Sequence, residues 1–337
     1  MKQKLWKIRY YIKRLFGMEW KTFFESVSLA KERSRKPWIV MFFDIIISSF
    51  RYNAGYNDYI EFEFYLMNHA QRQSYLTAPK SMAIARQYND RERAGIILDK
   101  SQFHKYYGKF VSRAFLDLTE ASLSEFTDFI KTHKNVMCKV VDGNSGVGIT
   151  KVEYSEALDI QALYDQCLNQ KQTLIEEYFV QHPKMAELSA SSVNTIRMVT
   201  FVDKQGVPHI ITLALKIGVG GYVDNIGQGG MYTILSEDGE VVVPFINQKG
   251  DHFSVHPLTK MNLIGFTVPN FEVIKQQILE VALVIPEVRY VGWDISVNVS
   301  GNLEIIEGNP FTGTFQLPAS LALNKMGVMP VLSQYLD

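Results

Sequence analysis

Apolar residues recur at helical spacing through the first part of the chain and give way to short apolar runs and strand-like alternation beyond it. Residues 1–95 read as mainly helical, rich in Tyr, Phe and Arg, with no dense turn signals. The run from Trp38 to Phe50 carries Asp44 and is shorter than the about 20 apolar residues a membrane span needs, so it reads as a buried helix or strand. From about residue 96 strands and helices mix. Thr119 or Ser122 caps a helix through Phe126, Phe129 and Ile130, and residues 136–141 form a strand. A glycine-rich stretch and a second strand ending near Glu153 follow. Ser155 starts a helix through Leu158, Leu163 and Cys167, and residues 173–180 read as a buried strand. Residues 194–217 predict a long hairpin turning at Lys204–Gly206, followed by a glycine-rich stretch at 218–230. Asn270 caps a helix through Ile274, Ile278 and Val281, and 291–307 is the clearest hairpin in the chain. Strands and helices without regular alternation point to an α+β fold.

That last hairpin, VGWDISVNVSGNLEIIEGNP, is the most informative segment. A two-residue turn at Ser300-Gly301 sets Asp294 opposite Glu307. A turn at Gly301-Asn302 sets Asp294 opposite Asn309 and Glu307 opposite Ser296. Both registers put Asp294, Glu307 and Asn309 on one face, and a three-residue turn breaks the arrangement. Carboxylates on one face of neighbouring strands repel. A hard cation with oxygen ligands relieves the repulsion, and magnesium takes one or two carboxylates with phosphates and water. Trp293, Ile295, Ile305 and Ile306 surround the acids and imply burial, where acids need a partner.

Composition narrows the classes. The 337 residues are 47% hydrophobic, enough for one large domain or two closely packed ones. Thirty-five basic residues balance 35 acidic ones, so no global field attracts nucleic acid. Two cysteines, Cys138 and Cys167, exclude a disulfide framework and suit a reducing cytoplasm. The start offers no uninterrupted apolar core of a secretory signal. The first 36 residues hold eleven Lys or Arg against three Glu, with Leu5, Ile8, Ile12, Leu15 and Phe16 at helical spacing. Such a helix can lie on an anionic membrane surface, but packing of the apolar stripe on the protein body is the favoured reading.

Lys139 precedes Asp142-Gly143-Asn144-Ser145-Gly146-Val147-Gly148 on a strand. Glycines let backbone N–H groups cradle phosphate, and a strand lysine neutralises its charge. The P-loop order and the dinucleotide fingerprint are both absent, since no helix directly follows. An isolated loop of this kind is by itself most simply a hairpin turn. Lys100, in ILDKSQFHKYYGKF, supplies a second ammonium.

The order of these features resembles the ATP-grasp superfamily, which includes the D-alanine–D-alanine ligases. The stretches YFVQHPKMAELSASSVNTIRMVT, LKIGVGGYVDNIGQGG, VGWDISVNVSGNLEIIEGNP and ILDKSQF are most similar to the sugar-transfer associated ATP-grasp family, over about residues 50–320. The resemblance implies an ATP-grasp fold, two α+β subdomains holding ATP between them, with a mainly helical N-terminal region at 1–95. The first subdomain would be 96–180 with its glycine-rich flap, and the second 181–337 with a metal site. Lys100 and Lys139 would contact phosphates under a flap that includes Gly143, Ser145, Gly146 and Gly148. Glu176, Glu177, Tyr178 and Phe179 would form the adenine linker, and Glu187 or His182 would bind the ribose. Asp294, Glu307 and Asn309 would hold magnesium, two ions by family custom.

The family's arginine two residues before the first metal carboxylate is replaced here by Gly292, and Arg197 is the candidate for the missing cation, catalytic alongside Lys139. Asn194, Asp224, Asn225, Gly229 and Gly230 are candidates for substrate contact. The implied activity is a cytoplasmic, ATP- and magnesium-dependent carboxylate–amine ligase, ADP-producing and working through an acyl phosphate. Its implied setting is cell-surface polysaccharide biosynthesis, with a sugar acid or glycan carboxylate and an amino acid or other amine as substrates. The alternatives are a non-catalytic nucleotide-binding partner of glycosyltransferases, docked at the membrane by the basic N-terminus, and a kinase-like phosphotransferase.

Overall fold

A computed structural model describes residues 19–140, 148–220, 224, 226–313 and 315–337. The chain folds as two compact units, Met1–Lys80 with Gln316–Met329, and Ser81–Phe315 with Pro330–Asp337.

The first unit is helical. Helix α1 (Trp20–Ser34) buries Phe23, Val27 and Ala30, spaced to make one face. Helix α2 (Trp38–Tyr52) buries Met41, Ile45, Ser48 and Tyr52. The apolar run behind α2 is therefore helical but only half buried, because its other face carries exposed Ile39, Phe43, Ile47 and Phe50. Apolar residues on both of these sides make it hard to read from the sequence which one faces out. The run's one acid, Asp44, accepts two hydrogen bonds from Arg72, at 2.6 and 2.8 Å.

The second unit holds two antiparallel sheets. Two consecutive short helices, α3 (Arg91–Leu98) and α4 (Lys100–Tyr107), lead in. The carboxylates of Asp90 and Asp99 accept from the first backbone N–H groups of each. The smaller sheet contains β1 (Phe115–Asp117), β2 (Asn135–Lys139), β3 (Ile149–Glu153) and β4 (Leu174–Glu177), in the order β1-β4-β2-β3. Helices α5 (Leu123–His133) and α6 (Ile160–Asn169) bury Phe126, Ile130, Leu163 and Cys167 with its Val136, Cys138 and Ile175. Ser122 caps α5 through a reciprocal pair with Glu125. Helix α6 starts at Ile160 rather than Ser155, because Asp159 accepts from Ala162 N at 2.9 Å and Ser155 caps nothing there.

The larger sheet has the order β11-β10-β5-β6-β7-β8-β9. It is built from β5 (Thr195–Val202), β6 (Pro208–Ile217), β7 (Met231–Ile234), β8 (Phe245–Asn247), β9 (His252–Phe253), β10 (Tyr290–Val297) and β11 (Leu303–Asn309). One face packs on α7 (Phe271–Ala282), burying Ile196, Met198, Leu215, Ile274, Ile278, Trp293 and Ile295 in one core. Asn270 precedes α7 as expected but makes no capping hydrogen bond. Its amide instead donates to Gly301 O at 3.1 Å and pins the β10–β11 turn.

That turn decides the site. Asn298 N donates to Asn302 O at 2.9 Å, so three residues cross it, and Gly301 takes φ +80°. A three-residue turn alone would rotate Glu307 away from Asp294. The register shifts between Asp294 and Ile295, leaving Ile306 as the extra residue on β11, and Asp294 pairs directly with Glu307. Two departures from the simple hairpin cancel.

Candidate active site

On the face of the larger sheet away from α7, four strands contribute polar side chains to one cluster. Asp294 on β10 lies opposite Arg197 on β5 and opposite Glu307 on β11. On β6, Ala214 lies opposite Arg197, and Lys216 lies opposite Thr195. Alternation with period two therefore places Thr195, Arg197, Lys216, Asp294 and Glu307 on the same side. Arg197 donates from Nε to Asp294 Oδ1 at 2.7 Å and from Nη2 to Oδ2 at 2.6 Å, a two-pronged grip. Lys216 Nζ lies 3.0 Å from the same Oδ1. Burial pushes the Asp294 carboxyl up, but Arg197 and Lys216 outweigh it and hold the group well below the ordinary carboxylate range.

Glu307 behaves in the opposite way. Lost hydration and the Asp294 carboxylate beside it push its carboxyl upward, although the side chain still meets solvent. Asn309 donates to Glu307 Oε1 at 3.2 Å. Asp224 accepts from Thr195 N and Oγ1 and sits 4.0 Å from Lys216 Nζ. Burial raises its carboxyl too.

Gly292 explains how this chain manages without an arginine on β10. A Cβ there would come within 2.1 Å of Thr312 Oγ1 and 3.2 Å of Arg197 Cδ. The space is already filled by Arg197, whose Nη1 donates to Thr312 at 3.1 Å and whose guanidinium stands 5.4 Å from the Phe315 ring. Arg197, Lys216, Asp294, Glu307, Asn309 and Phe315 line a cavity of about 400 Å³ with Leu98, Ile226, Pro310 and Phe311.

A second cluster lies on the smaller sheet. Glu176 on β4 accepts from Lys139 Nζ at 2.5 Å and from Arg113 Nε at 2.9 Å, and His104 Nε2 is 3.1 Å away. Burial raises this carboxyl, and Arg113 and Lys139 override it, holding Glu176 well below the usual range. Arg113 also donates to Glu304 Oε1 at 2.8 Å, Ile305 O at 2.7 Å and Ile306 O at 3.3 Å. The last two carbonyls lie at the β11 irregularity. Arg113 thus joins the two sheets and satisfies the backbone where Glu307 is turned toward Asp294.

The remaining sequence candidates fall in various places. Lys100, at the start of α4, donates to Val140 O at 2.7 Å. Gly148 O accepts from Val140 N at the base of the β2–β3 hairpin. Gly143, Ser145, Gly146 and Asn225 lie outside the described residues. Glu177 accepts from Ala114 N at 3.1 Å, and Tyr178 lies under the Lys151 ammonium. Phe179 is half-buried. Glu187 is exposed, whereas His182 accepts from Lys184 N as a helix cap. Asn194 is buried, its amide donating to Gln181, Met185 and Ser189. Gly229 is exposed, with φ +94°, and Gly230 is buried. Lys139 is not among the residues that line the cavity; its ammonium pairs with Glu176, which Arg113 also holds. Sequence reasoning passed over Lys216, Arg113, His104 and Glu304. Lys216 alone left a signal, a lone cation within the apolar strand LALKI.

The cluster has room for a cation. Asp224, Asp294 and Glu307 are three carboxylates against the two cations Arg197 and Lys216, leaving one negative charge over. Oxygen donors from Asp294, Glu307 and Asn309 suit a hard divalent ion. Among the described residues no group of three His, Cys, Asp or Glu forms a protein-only metal cage. Two carboxylates and an amide fit an ion whose other ligands are phosphate and water.

Two antiparallel sheets, a strand lysine beside a hairpin and an acidic pair on neighbouring strands define an ATP-grasp protein. The chain belongs to the sugar-transfer associated ATP-grasp family, whose model matches residues 80–331. Among solved structures it is similar to the ATP-grasp ligase PsnB complexed with minimal precursor, at 14% identity, covering 74% of this chain and 62% of that one, TM-score 0.43. It is similar also to the D-alanine–D-alanine ligase from Coxiella burnetii, at 12% identity, with coverage of 73% and 58% and TM-score 0.41. The ADP complex of the N5-carboxyaminoimidazole ribonucleotide synthetase purK shares 13% identity, with coverage of 65% and 46% and TM-score 0.39. The chain spans less than two thirds of each of these three proteins. No curated protein matches it in sequence.

Proposed function

We propose that this protein is an ATP- and magnesium-dependent carboxylate–amine ligase of cell-surface polysaccharide biosynthesis. In this reading it joins a sugar acid or glycan carboxylate to an amino acid or other amine. The observation that carries the reading is the direct pairing of Asp294 with Glu307 on a face that also presents Arg197 and Lys216. Opposite charges gathered at one place suit a reaction in which phosphate charge is transferred rather than one needing a side-chain nucleophile.

Lys100 and Lys139 would lie along the nucleotide phosphates, beneath a flap containing Gly143, Ser145, Gly146 and Gly148. The backbone and apolar walls of Glu176–Phe179 would receive adenine, because the Glu176 carboxylate is already committed to Arg113 and Lys139. Glu187, the exposed member of the ribose pair, is the better placed for hydroxyl groups. Asp294, Glu307 and Asn309 would hold magnesium, which would supply positive charge to offset that of the nucleotide phosphates. A substrate carboxylate oxygen bonds to the γ-phosphorus as its bond to ADP breaks. Arg197 and Lys216 stabilise the charge on the transferred group. The amine nitrogen then bonds to the acyl carbon, phosphate leaves, and the amine gives up a proton. Asn194, Asp224, Asn225, Gly229 and Gly230 would shape the acceptor side.

The reading places the enzyme in the cytoplasm, with peripheral contact at the inner face of the membrane as the alternative. Among the described residues no helix is long and apolar enough to cross one. The test is ADP release against uronate and amino-acid mixtures, with products identified by mass spectrometry. An amide joining the two supports the reading. A phosphorylated product makes the protein a phosphotransferase, and ATP binding without turnover on any pair makes it a nucleotide-binding partner.

A further inference from the structure

The helical first unit carries an apolar surface that its own core does not need. On α2 the residues Ile39, Phe43, Ile47 and Phe50 follow one another at helical spacing and are 53%, 54%, 52% and 42% exposed. They stand on the side of the helix opposite buried Met41, Ile45 and Ser48. An ordinary surface helix puts charge on that side. The apolar area continues onto α1. Trp20 and Phe24 are both exposed, Phe24 stacks on Trp38 at 6.1 Å and 19°, and Trp38 stacks on Phe42 at 5.3 Å. An open cavity of about 520 Å³ lies beside α2, with Ile39, Val40, Met41, Phe43 and Ile47 in its wall together with Lys36 and the paired Asp44 and Arg72.

Charge decides the occupant. Lys21, Lys31, Arg35, Lys36 and Arg51 are exposed on or beside the same two helices and outnumber the exposed acids there, Glu19, Glu25 and Glu32. In the sequence, the eighteen residues that precede Glu19 hold six Lys or Arg and no acid. The border is net basic, and that suits an anionic surface. Aromatic and aliphatic side chains flanked by lysines and arginines are the chemistry of a helix lying in the headgroup layer of an anionic bilayer, with tryptophan at the water boundary.

We infer that the first unit docks the protein on an anionic lipid surface. The exposed side of α2 enters the acyl boundary, and the basic residues around α1 contact the headgroups. The inference does not depend on the ligase reading. The carboxylate substrate it would favour, however, is one carried at a membrane.

Co-sedimentation of the full chain with phosphatidylcholine vesicles, and with vesicles of phosphatidylcholine mixed with phosphatidylglycerol, tests it. The unmodified chain binds the mixed vesicles, and added salt weakens binding as headgroup contacts are screened. The double variant Phe43→Asp/Ile47→Asp keeps its thermal unfolding midpoint, because both side chains are exposed, and loses at least about tenfold in vesicle affinity. Should that variant unfold, Lys21→Glu/Arg35→Glu reads the same surface through its salt-dependent part. Lack of binding by the unmodified chain overturns the inference. So does equal binding by a folded apolar variant. A dimer on size exclusion that the apolar variant dissociates, without vesicle binding, makes a second copy of the chain the occupant and overturns it as well.

Discussion

Replacing Arg113 by methionine isolates the contact that joins the two sheets. The side chains of Arg113, Glu176 and Glu304 are 4%, 4% and 0% exposed, so methionine keeps the volume and removes the compensating charge from two buried carboxylates. Breaking one buried pair costs about 3–5 kcal/mol. The lower end applies, because Glu304 keeps the Ser112 N–H and hydroxyl and Glu176 keeps Lys139 and His104. A loss of about 3 kcal/mol at about 2 °C per kcal/mol lowers the midpoint by about 6 °C. Neutralising the orphaned acid in Arg113→Met/Glu304→Gln recovers roughly 1–2 kcal/mol, since the amide still pairs with Ser112 and no charge is stranded. Differential scanning calorimetry on the four proteins of this cycle measures both quantities. A single variant within about 1 kcal/mol of the parent, or a double variant worse than the sum of its parts, refutes the clamp.

The low carboxyl of Glu176 is a depressed acid, so its stabilisation is present above the unfolded carboxylate value of about 4.3 and is lost as pH falls through the lower folded value. Acid unfolding therefore begins below about pH 4 in the parent, and Arg113→Met moves it upward, as circular dichroism against pH will show. Glu307 shifts the other way, which favours its protonated form. Magnesium-dependent turnover accordingly falls on acidification at a pH above the usual carboxylate range, and initial rates against pH at fixed magnesium locate the limb. In Gly292→Ala the added carbon meets Thr312 Oγ1 and displaces Arg197, so kcat drops about 10²-fold, the scale of one misplaced charge donor, while the protein stays folded. Lys216→Met has a similar effect on kcat, and steady-state kinetics show little change in nucleotide affinity.

Much of the fold was legible because strand alternation and turn residues are local signals. The hairpins at 195–217 and 290–309 and the capping box at Ser122 all follow from neighbours in sequence. The pairing of Asp294 with Glu307 emerged from a turn of the wrong length, because Ile306 inserts as a bulge and reverses the parity. Nothing local announces that insertion. What stabilises it is Arg113, distant in sequence and carrying no motif. Long-range compensation also explains why Glu176 reads as an adenine-linker acid in sequence while its carboxylate is held by Arg113 and Lys139. The side of α2 that faces out was equally hidden, since apolar residues stand on both its buried and its exposed side.

Binding of a non-hydrolysable ATP analogue, measured by calorimetry with and without magnesium, tests the central claim most directly. In the parent protein magnesium tightens binding at least about tenfold if, as proposed, Asp294, Glu307 and Asn309 hold the ion beside the nucleotide's phosphates. In Asp294→Asn and Glu307→Gln the nucleotide still binds weakly through the lysines and the magnesium response disappears. An undiminished response in both variants would place the cation elsewhere and contradict the account.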